Sequence, residues 1–280
     1  MEISAGFNSH DNLRSLCSAN CVLIEGGSTM SGHSKWASIK HKKGAADAKR
    51  GAAFTKIIRE ITTAAKDGGD PDKNPRLRTA MARAKFINMP SVNVENAIKK
   101  GTGELPGVVY ENVTFDAYGP GGVALLIEGL TDNKNRTTAE IRNILSKKNG
   151  SLAGAGSTAW MFAKKGFVSI EKDKISEEQL MDIALEAGAD DIKSEGNYHE
   201  VTCAPTAFEA VKAAIEAKKI PVVTAEITMV PGSTVKVVGN DAKTVLDLLS
   251  ALEDHEDVQA VHANFDISDE EIEKAAQAAG

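Results

Sequence analysis

The chain has 280 residues, 42% of them hydrophobic and 26% charged, with a formal net charge of −6 and only 5% aromatics. That length supports about two domains, or three small ones, and the composition is that of a soluble globular protein. The longest apolar candidate, Val123 to Ile127, is a strand's length and gives no membrane-spanning helix, while Cys17, Cys21 and Cys203 lack zinc or disulfide-framework spacing and fit a reducing cytoplasm.

Residues 1–29 contain Glu2, Asp11 and Glu25, a single basic residue (Arg14) and no apolar core, so they match neither a secretory signal nor a transit peptide. They read as a poorly ordered extension, with Met30 as the expected biological start. An intact mass of the native protein beginning at Met1 would refute that expectation.

From Met30 to Tyr110 the charge reverses. Sixteen Lys and Arg face seven Asp and Glu, so the rest of the chain is more acidic than the whole. The densest part, Gly32 to Arg50, reads G-H-S-K-W-A-S-I-K-H-K-K-G-A-A-D-A-K-R. Segregation of this kind marks a module that faces a polyanion, set against the plainer account of solvated helix faces. The arm from Gly32 to Lys43 has no clear periodicity. Within it Trp36 is either a base-stacking side chain or an apolar anchor for the arm.

Over Asp47 to Lys66, Phe54, Ile57, Ile58, Ile61 and Ala65 recur at the spacing of an amphipathic helix. Gly68-Gly69-Asp70-Pro71 ends it, and Asn74-Pro75 supplies an N-cap and a first-turn proline for a second helix with Leu77, Ala80, Met81, Ala84 and Ile87 inward. A third short helix runs to Lys100, with Gly101 as its expected C-terminal cap.

After Gly107 the period changes to two. Val113, Phe115 and Ala117 alternate with polar residues, and Gly119-Pro120-Gly121-Gly122 turns the chain into Val123 to Ile127, predicting a hairpin. A helix entered at Asp132 to Thr138 follows, with Ile141, Ile144 and Leu145 buried, then a loop over Gly150 to Ser157 and a buried strand at Trp160-Met161-Phe162. A new unit begins with a strand at Phe167 to Ile170 and a capping box at Ser176 to Gln179. Strands at Asp191 to Glu195 and Tyr198 to Cys203, a helix carrying Phe208, Val211 and Ile215, and a strand at Val222 to Met229 complete the order βαββαβ, that of a ferredoxin-like unit. Beyond Pro231-Gly232 a strand, a helix through Leu252 and an alternating strand ending at Ile267 complete the unit begun at Tyr110. The tail from Ser268 reads as a short acidic helix.

The expected fold class is therefore α+β: an N-terminal three-helix domain followed by two α/β (ferredoxin-like) domains, the third inserted into the second. The expected boundaries are 1–29 extension, 30–108 basic helical domain, 109–165 plus 232–280 α/β domain, and 166–231 inserted domain. Phosphate-cradling G-x-x-x-x-G-K-[ST], strand-following G-x-G-x-x-G and nucleophile-elbow G-x-S-x-G patterns are all absent from the sequence. Cys203 has no base evident in sequence, and the histidines read mostly as surface residues. The chain is expected to be no enzyme, with no cofactor and no metal.

Six ordered segments carry a resemblance: G-H-S-K-W-A-S-I-K-H-K-K-G-A-A-D-A-K-R-G at 32–51, N-P-R-L-R-T-A at 74–80, A-I-K-K-G-T-G at 97–103, Y-G-P-G-G-V-A at 118–124, L-T-D-N-K-N-R-T at 130–137 and G-S-T-A-W-M-F at 156–162. Together they resemble the YebC/PmpR family over about Met30 to Ile267; residues 1–29 inherit nothing from it. The resemblance implies the same three domains, a cytoplasmic location, and either a DNA-binding transcriptional regulator or a ribosome-associated translation factor that contacts ribosomal RNA. The expected partner is nucleic acid, DNA or ribosomal RNA, with the ribosome as the larger assembly in the second case; no membrane is expected, and the chain is expected to be a monomer. Resemblance and charge together nominate Lys35, Trp36, Lys40, Lys42, Lys43, Lys49, Arg50, Arg59, Arg76, Arg78 and Arg83 as nucleic-acid contacts. Asn133, Lys134, Asn135 and Arg136 form a second set at a helix N-terminus, where a simple helix entry is the rival account.

Overall fold

The computed structural model describes residues 46–195 and 197–268, and for residues 46–50 and 195 the backbone alone. The first element is helix α1 (Ala46–Ala64), which tightens into a 3-10 turn over Ala65–Asp67 and is followed by α2 (Pro75–Phe86) and α3 (Ser91–Gly101). The reversal between α1 and α2 is set by one side chain. Asn74 Oδ1 accepts from Leu77 N–H at 3.0 Å as the N-cap, while its Nδ2 donates to Ala64 O at 2.8 Å and Gly68 O at 2.9 Å. Ile61, Leu77, Ala80, Ala84 and Ala97 form the seam, and its alanines let the helices approach closely.

Gly101 is the last residue of α3 rather than its cap, a place Thr102 takes. Glycine stands there because a Cβ would lie 2.4 Å from Thr62 O and 2.6 Å from Ala65 Cβ. The residue is a contact surface between α3 and the end of α1.

Strands β1 (Glu111–Tyr118) and β2 (Ala124–Thr131) pair antiparallel through a 3-10 turn over Pro120–Gly122, where Gly121 and Gly122 take φ of 69° and 78°. There follow α4 (Lys134–Lys147), the two-residue β3 (Ser151–Leu152), β4 (Phe162–Glu171), α5 (Glu177–Glu186), β5 (Ala189–Glu195), β6 (Tyr198–Cys203), α6 (Phe208–Ala217) and β7 (Val222–Pro231). The described chain ends with β8 (Val235–Lys236), α7 (Gly239–Glu253), β9 (Val258–Ala263) and β10 (Phe265–Asp266).

Two four-stranded sheets result, ordered β3-β1-β2-β9 and β5-β6-β4-β7, with β8 and β10 as a small parallel pair. The second sheet is antiparallel throughout, with the strand order of a ferredoxin-like βαββαβ unit, and it interrupts the sequence of the first. Each sheet has its own core. Leu125, Ile127, Ile141, Leu145, Leu248 and Leu249 fill the first; Val168, Ile170, Leu180, Val201, Val211 and Ile215 fill the second. Full burial contributes about 1.5–3 kcal/mol for each such side chain, so each sheet-and-helix layer is substantially self-supporting.

Two expectations change here. Trp160-Met161-Phe162 is not a separate strand: Ala159–Met161 is a 3-10 turn, and one ten-residue strand, β4, starts at Phe162 and continues through the expected strand at Phe167 to Ile170. Its start, Phe162, packs on Ala124 and Leu126 at the back of the first sheet, while Val168 and Ile170 lie in the second core. The strand therefore ties the two units together. The histidines read mostly as surface residues, but His199 and His262 are only 3% and 6% exposed: His199 shares the inward face of β6 with Val201 and Cys203 and bonds Ser194 Oγ at 2.8 Å and Ile175 O at 3.1 Å, whereas His262 lies on the other face of β9 from the core residues Val261 and Ala263. Cys203 is fully buried, and burial pushes its thiol pKa up, away from thiolate chemistry. The expected acidic helix beyond Ser268 lies outside the described residues, as does the extension over residues 1–29.

Candidate nucleic-acid interface

Of the nominated contacts, Lys35, Trp36, Lys40, Lys42 and Lys43 lie outside the described residues, and Lys49 and Arg50 are described as helical backbone only. The others separate into three groups. Their division follows from helix geometry and from where the acidic partners fall.

On α2, Arg76 and Arg83 are seven residues apart and share one face; Arg78 and Lys85, also seven apart, share another, turned by about 200° at roughly 100° per residue. Arg76 Nη2 reaches Asn112 Oδ1 at 3.2 Å, and Arg83 Nη1 pairs with Glu60 Oε2 at 3.2 Å. Both line a cleft of about 1080 Å³ where the helical unit meets the two sheets. That cleft is of mixed charge: Lys164 joins the two arginines, but Glu60, Glu128, Glu226 and Glu253 also line it. Glu128 stays ionised there, its carboxyl held below the ordinary range chiefly by His262. A polyanion would meet repulsion inside the cleft.

The outer face differs. Arg78 makes only a 3.4 Å contact with an uncharged partner, Pro71 O, and Lys85 has no acidic partner among the described residues. Lys99 and Lys100, in the last turn of α3, are likewise exposed and without one. Neither Lys85 nor this lysine pair was among the nominated residues. Their charges count in the basic excess of residues 30–110 but belong to no nucleic-acid-reading motif.

Arg59, nominated as a phosphate contact, is not an exposed cation in this arrangement. It is 9% exposed, and its guanidinium is committed across the joint between units: Nη1 to Asp257 Oδ1, Nη2 to Glu256 Oε2 at 3.3 Å, with its Cζ 5.5 Å from the centre of the Tyr110 ring. Arg136, from the second nominated set, arrives at the same carboxylate. Its Nη2 bonds Asp257 Oδ2 at 3.0 Å and Asp132 Oδ1 at 2.8 Å, and these bonds raise its pKa further. Asn133 caps α4, accepting from Arg136 N–H at 3.1 Å, and Thr137 Oγ donates to Asp257 Oδ2 at 2.6 Å. Lys134 and Asn135 remain exposed on the first turn of α4. The nominated helix entry is thus a frame around Asp257, a residue the sequence did not single out.

Asp257 is 2% exposed. Burial favours its neutral form, but Thr137, Arg136 and Arg59 outweigh that and hold the carboxyl below the ordinary carboxylate range. Glu140 and His255 place ligand atoms within 4.8 Å of it, a spacing compatible with a metal ion. A cation there would face two guanidiniums already bonded to that carboxylate, so the donor set suits arginine rather than metal.

A second buried carboxylate organises the loop before β4. Asp116 accepts from Gly156 N–H at 2.9 Å, Thr158 N–H at 2.8 Å, Thr158 Oγ at 2.7 Å and Ala159 N–H at 2.8 Å. Burial again favours the neutral acid, and the four bonds win, lowering the pKa. The loop so held presents Trp160 at 75% exposure with its Nε1–H turned inward to Ser157 O at 2.9 Å.

Comparison with known proteins agrees with this architecture. Residues 34–104 match the family model for the TACO1/YebC protein N-terminal domain, and residues 110–265 match that for the TACO1/YebC second and third domain. A relative from Koribacter versatilis (strain Ellin345), "Probable transcriptional regulatory protein Acid345_2125", is 54% identical over 247 residues, 88% of this chain and 100% of its own length. Another from Geobacter sulfurreducens, "Probable transcriptional regulatory protein GSU1074", is 56% identical over 246 residues, covering 88% and 99%. The crystal structure of conserved hypothetical protein Aq1575 from Aquifex aeolicus superposes with a TM-score of 0.71 at 44% identity, covering 83% of this chain and 97% of that one. No described helix is long and apolar enough to cross a membrane. With both family models together spanning most of its length, the chain belongs to the TACO1/YebC family.

Proposed function

We infer that this protein is a non-enzymatic, nucleic-acid-binding regulator of gene expression that acts on DNA as a transcriptional regulator. The observation that supports this most directly is the division of cations on the helical unit. Arg78, Lys85, Lys99 and Lys100 project without acidic partners among the described residues, while the chain as a whole is acidic. A protein that needed these lysines and arginines only for solubility would gain nothing from gathering them on one unit. Phosphate contact gives the gathering a purpose, because each neutralised phosphate releases a counterion and adds to affinity. The names carried by the Koribacter and Geobacter relatives point to the same class.

The basic arm from Gly32 to Arg50 extends this face in sequence, and its Lys35, Lys40, Lys42, Lys43, Lys49 and Arg50 are assigned to phosphates with it. No base-reading helix is implied. Phosphate contacts position a protein, and selectivity then comes from nucleic-acid shape or from a second component.

Salt-dependent binding tests the assignment. Arg78→Gln with Lys85→Gln should reduce the slope of log affinity against log salt by about 2, near 0.9 per lost phosphate contact. An unchanged slope would remove these residues from the interface. Association with a promoter fragment that survives physiological salt supports the transcriptional assignment, whereas co-sedimentation with ribosomes, abolished by the same substitutions and without promoter selectivity, would transfer the chemistry to ribosomal RNA.

A further inference from the structure

We propose that Asp257 is the fixed half of a latch that docks the helical unit on the first α/β unit and that a bound polyanion opens by competing for Arg59. This rests on the phosphate-binding assignment above and specifies how that binding would be coupled to the shape of the molecule.

The hydrogen bonds described across the joint run from cations to oxygens. From the helical side Lys56 Nζ donates to Glu253 O, Arg59 to Asp257 and Glu256, Lys66 Nζ to Tyr110 O at 2.6 Å, and Arg76 to Asn112 Oδ1 at 3.2 Å. In each case the donor belongs to the helical unit and the acceptor to the α/β unit. The apolar cores on the two sides share no residue: the helical cluster closes on itself, as does the cluster of the first sheet. A joint of this composition loses strength wherever another array of anionic oxygens is offered, and nucleic acid is such an array.

The carboxylate is arranged to survive the loss of Arg59. Its Oδ2 is held from within its own unit by Arg136 at 3.0 Å and Thr137 at 2.6 Å, so undocking does not leave a buried charge unpaired. Arg59, in contrast, is not exhausted by the docked geometry. Its Nε is buried with no hydrogen-bond partner among the described residues, a donor that a phosphate could satisfy. Asp257 therefore imitates a phosphate toward an arginine of the basic unit while remaining anchored to α4. Docked and undocked arrangements compete for one guanidinium, which is the condition for a two-state element that a ligand can bias.

The test is a distance measurement between spin labels on the full chain, at Thr79→Cys on α2 and Ser146→Cys on α4, with Cys17 and Cys21 changed to Ser and buried Cys203 left in place. Nucleic acid is added as a duplex, or as single-stranded RNA, of roughly 20 base pairs or nucleotides, enough to present several phosphates, and fluorescence anisotropy of the same oligonucleotides reports binding independently. The unliganded chain should give one narrow distance distribution, and bound nucleic acid should broaden and shift it. Arg59→Gln should give the broadened distribution with no nucleic acid present. Asp257→Asn should do the same and bind nucleic acid about fivefold more tightly, because a competitor has been weakened. If Asp257→Asn does not fold, Arg59→Gln carries the test alone, since it leaves Arg136 and Thr137 on the carboxylate. Binding by anisotropy with an unchanged distance distribution overturns the latch and leaves the phosphate assignment standing; so does an Arg59→Gln chain that stays docked. Absence of binding to either oligonucleotide at low salt overturns the assignment and the latch together.

Discussion

The Asp116 cradle gives a prediction whose size follows from its four bonds. Asp116→Asn keeps the shape of the side chain and can keep Oδ1 facing Thr158 N–H, Thr158 Oγ and Ala159 N–H. The other oxygen, which accepts from Gly156 N–H at 2.9 Å, becomes an NH2 group, so that donor faces donor. One charge-assisted bond is lost, at about 1.5–3 kcal/mol, and the three that remain lose the charge that strengthened them. The expected loss is about 3 kcal/mol, or a urea midpoint shift of about 1–2 M for a slope near 2 kcal/mol/M. Trp160 is the natural reporter, since its indole is bonded inside the same loop; a Trp36→Phe background isolates its signal. Unfolding followed by fluorescence and by circular dichroism should shift together. A loss under about 0.5 kcal/mol, the range of an ordinary surface substitution, would refute the argument that this carboxylate holds the loop.

The pH dependence follows from the same group and from Asp257. Both carboxyls are depressed in the folded state, so the stability they contribute is fully present above their unfolded pKa of about 3.9 and is lost as pH falls through the lower folded values. Acid titration of the unfolding free energy should therefore drop below pH of about 4, and the Asp116→Asn chain should show a shallower drop; parallel curves would contradict this. Gly101→Ala forces a Cβ to 2.4 Å from a backbone oxygen that cannot move aside, and should cost about 3 kcal/mol in the helical unit, seen by thermal melting. A cost near zero would mean that α3 shifts freely on α1. Asn74→Ala removes a cap and leaves Ala64 O and Gly68 O without their donor, a combined loss of about 3 kcal/mol; a fall of only a few tenths would show that water replaces the side chain.

Element order was legible because apolar period and punctuation agree in this chain. Asn74-Pro75 announces α2 and proves to be its cap, and the capping box at Ser176 opens α5, with Ser176 Oγ accepting from Gln179 N–H. Expectations failed where a distant partner decides local geometry. Nothing near Trp160 in sequence says that Asp116, more than forty residues earlier, will hold Thr158 and Ala159 and turn the chain before β4. Likewise Arg59 looks like any other basic residue of an amphipathic helix until Asp257 is brought against it from the other end of the chain. Charge counts in sequence cannot separate an arginine spent on an internal carboxylate from one left for a ligand.

That distinction bears on the resemblance itself. Within the described residues, the segments that carry it are occupied with architecture. N-P-R-L-R-T-A begins with the cap of α2, A-I-K-K-G-T-G contains the close approach at Gly101, and Y-G-P-G-G-V-A makes the left-handed turn of the first hairpin. L-T-D-N-K-N-R-T surrounds Asp257, and G-S-T-A-W-M-F fills the Asp116 cradle. Each segment fixes a turn, an approach or a buried charge, and so identifies the fold with high specificity while leaving the ligand open. Among the residues whose side chains are described, the cations assigned to phosphate lie beside these segments or on exposed positions within them, as Arg78 does between Leu77 and Ala80. A fold is specified by which groups must meet inside the molecule, whereas a phosphate surface needs only density of charge on an outward face. Substitutions in the two sets should therefore separate: Asn74, Gly101 and Asp116 through stability, Arg78 and Lys85 through the salt slope of binding.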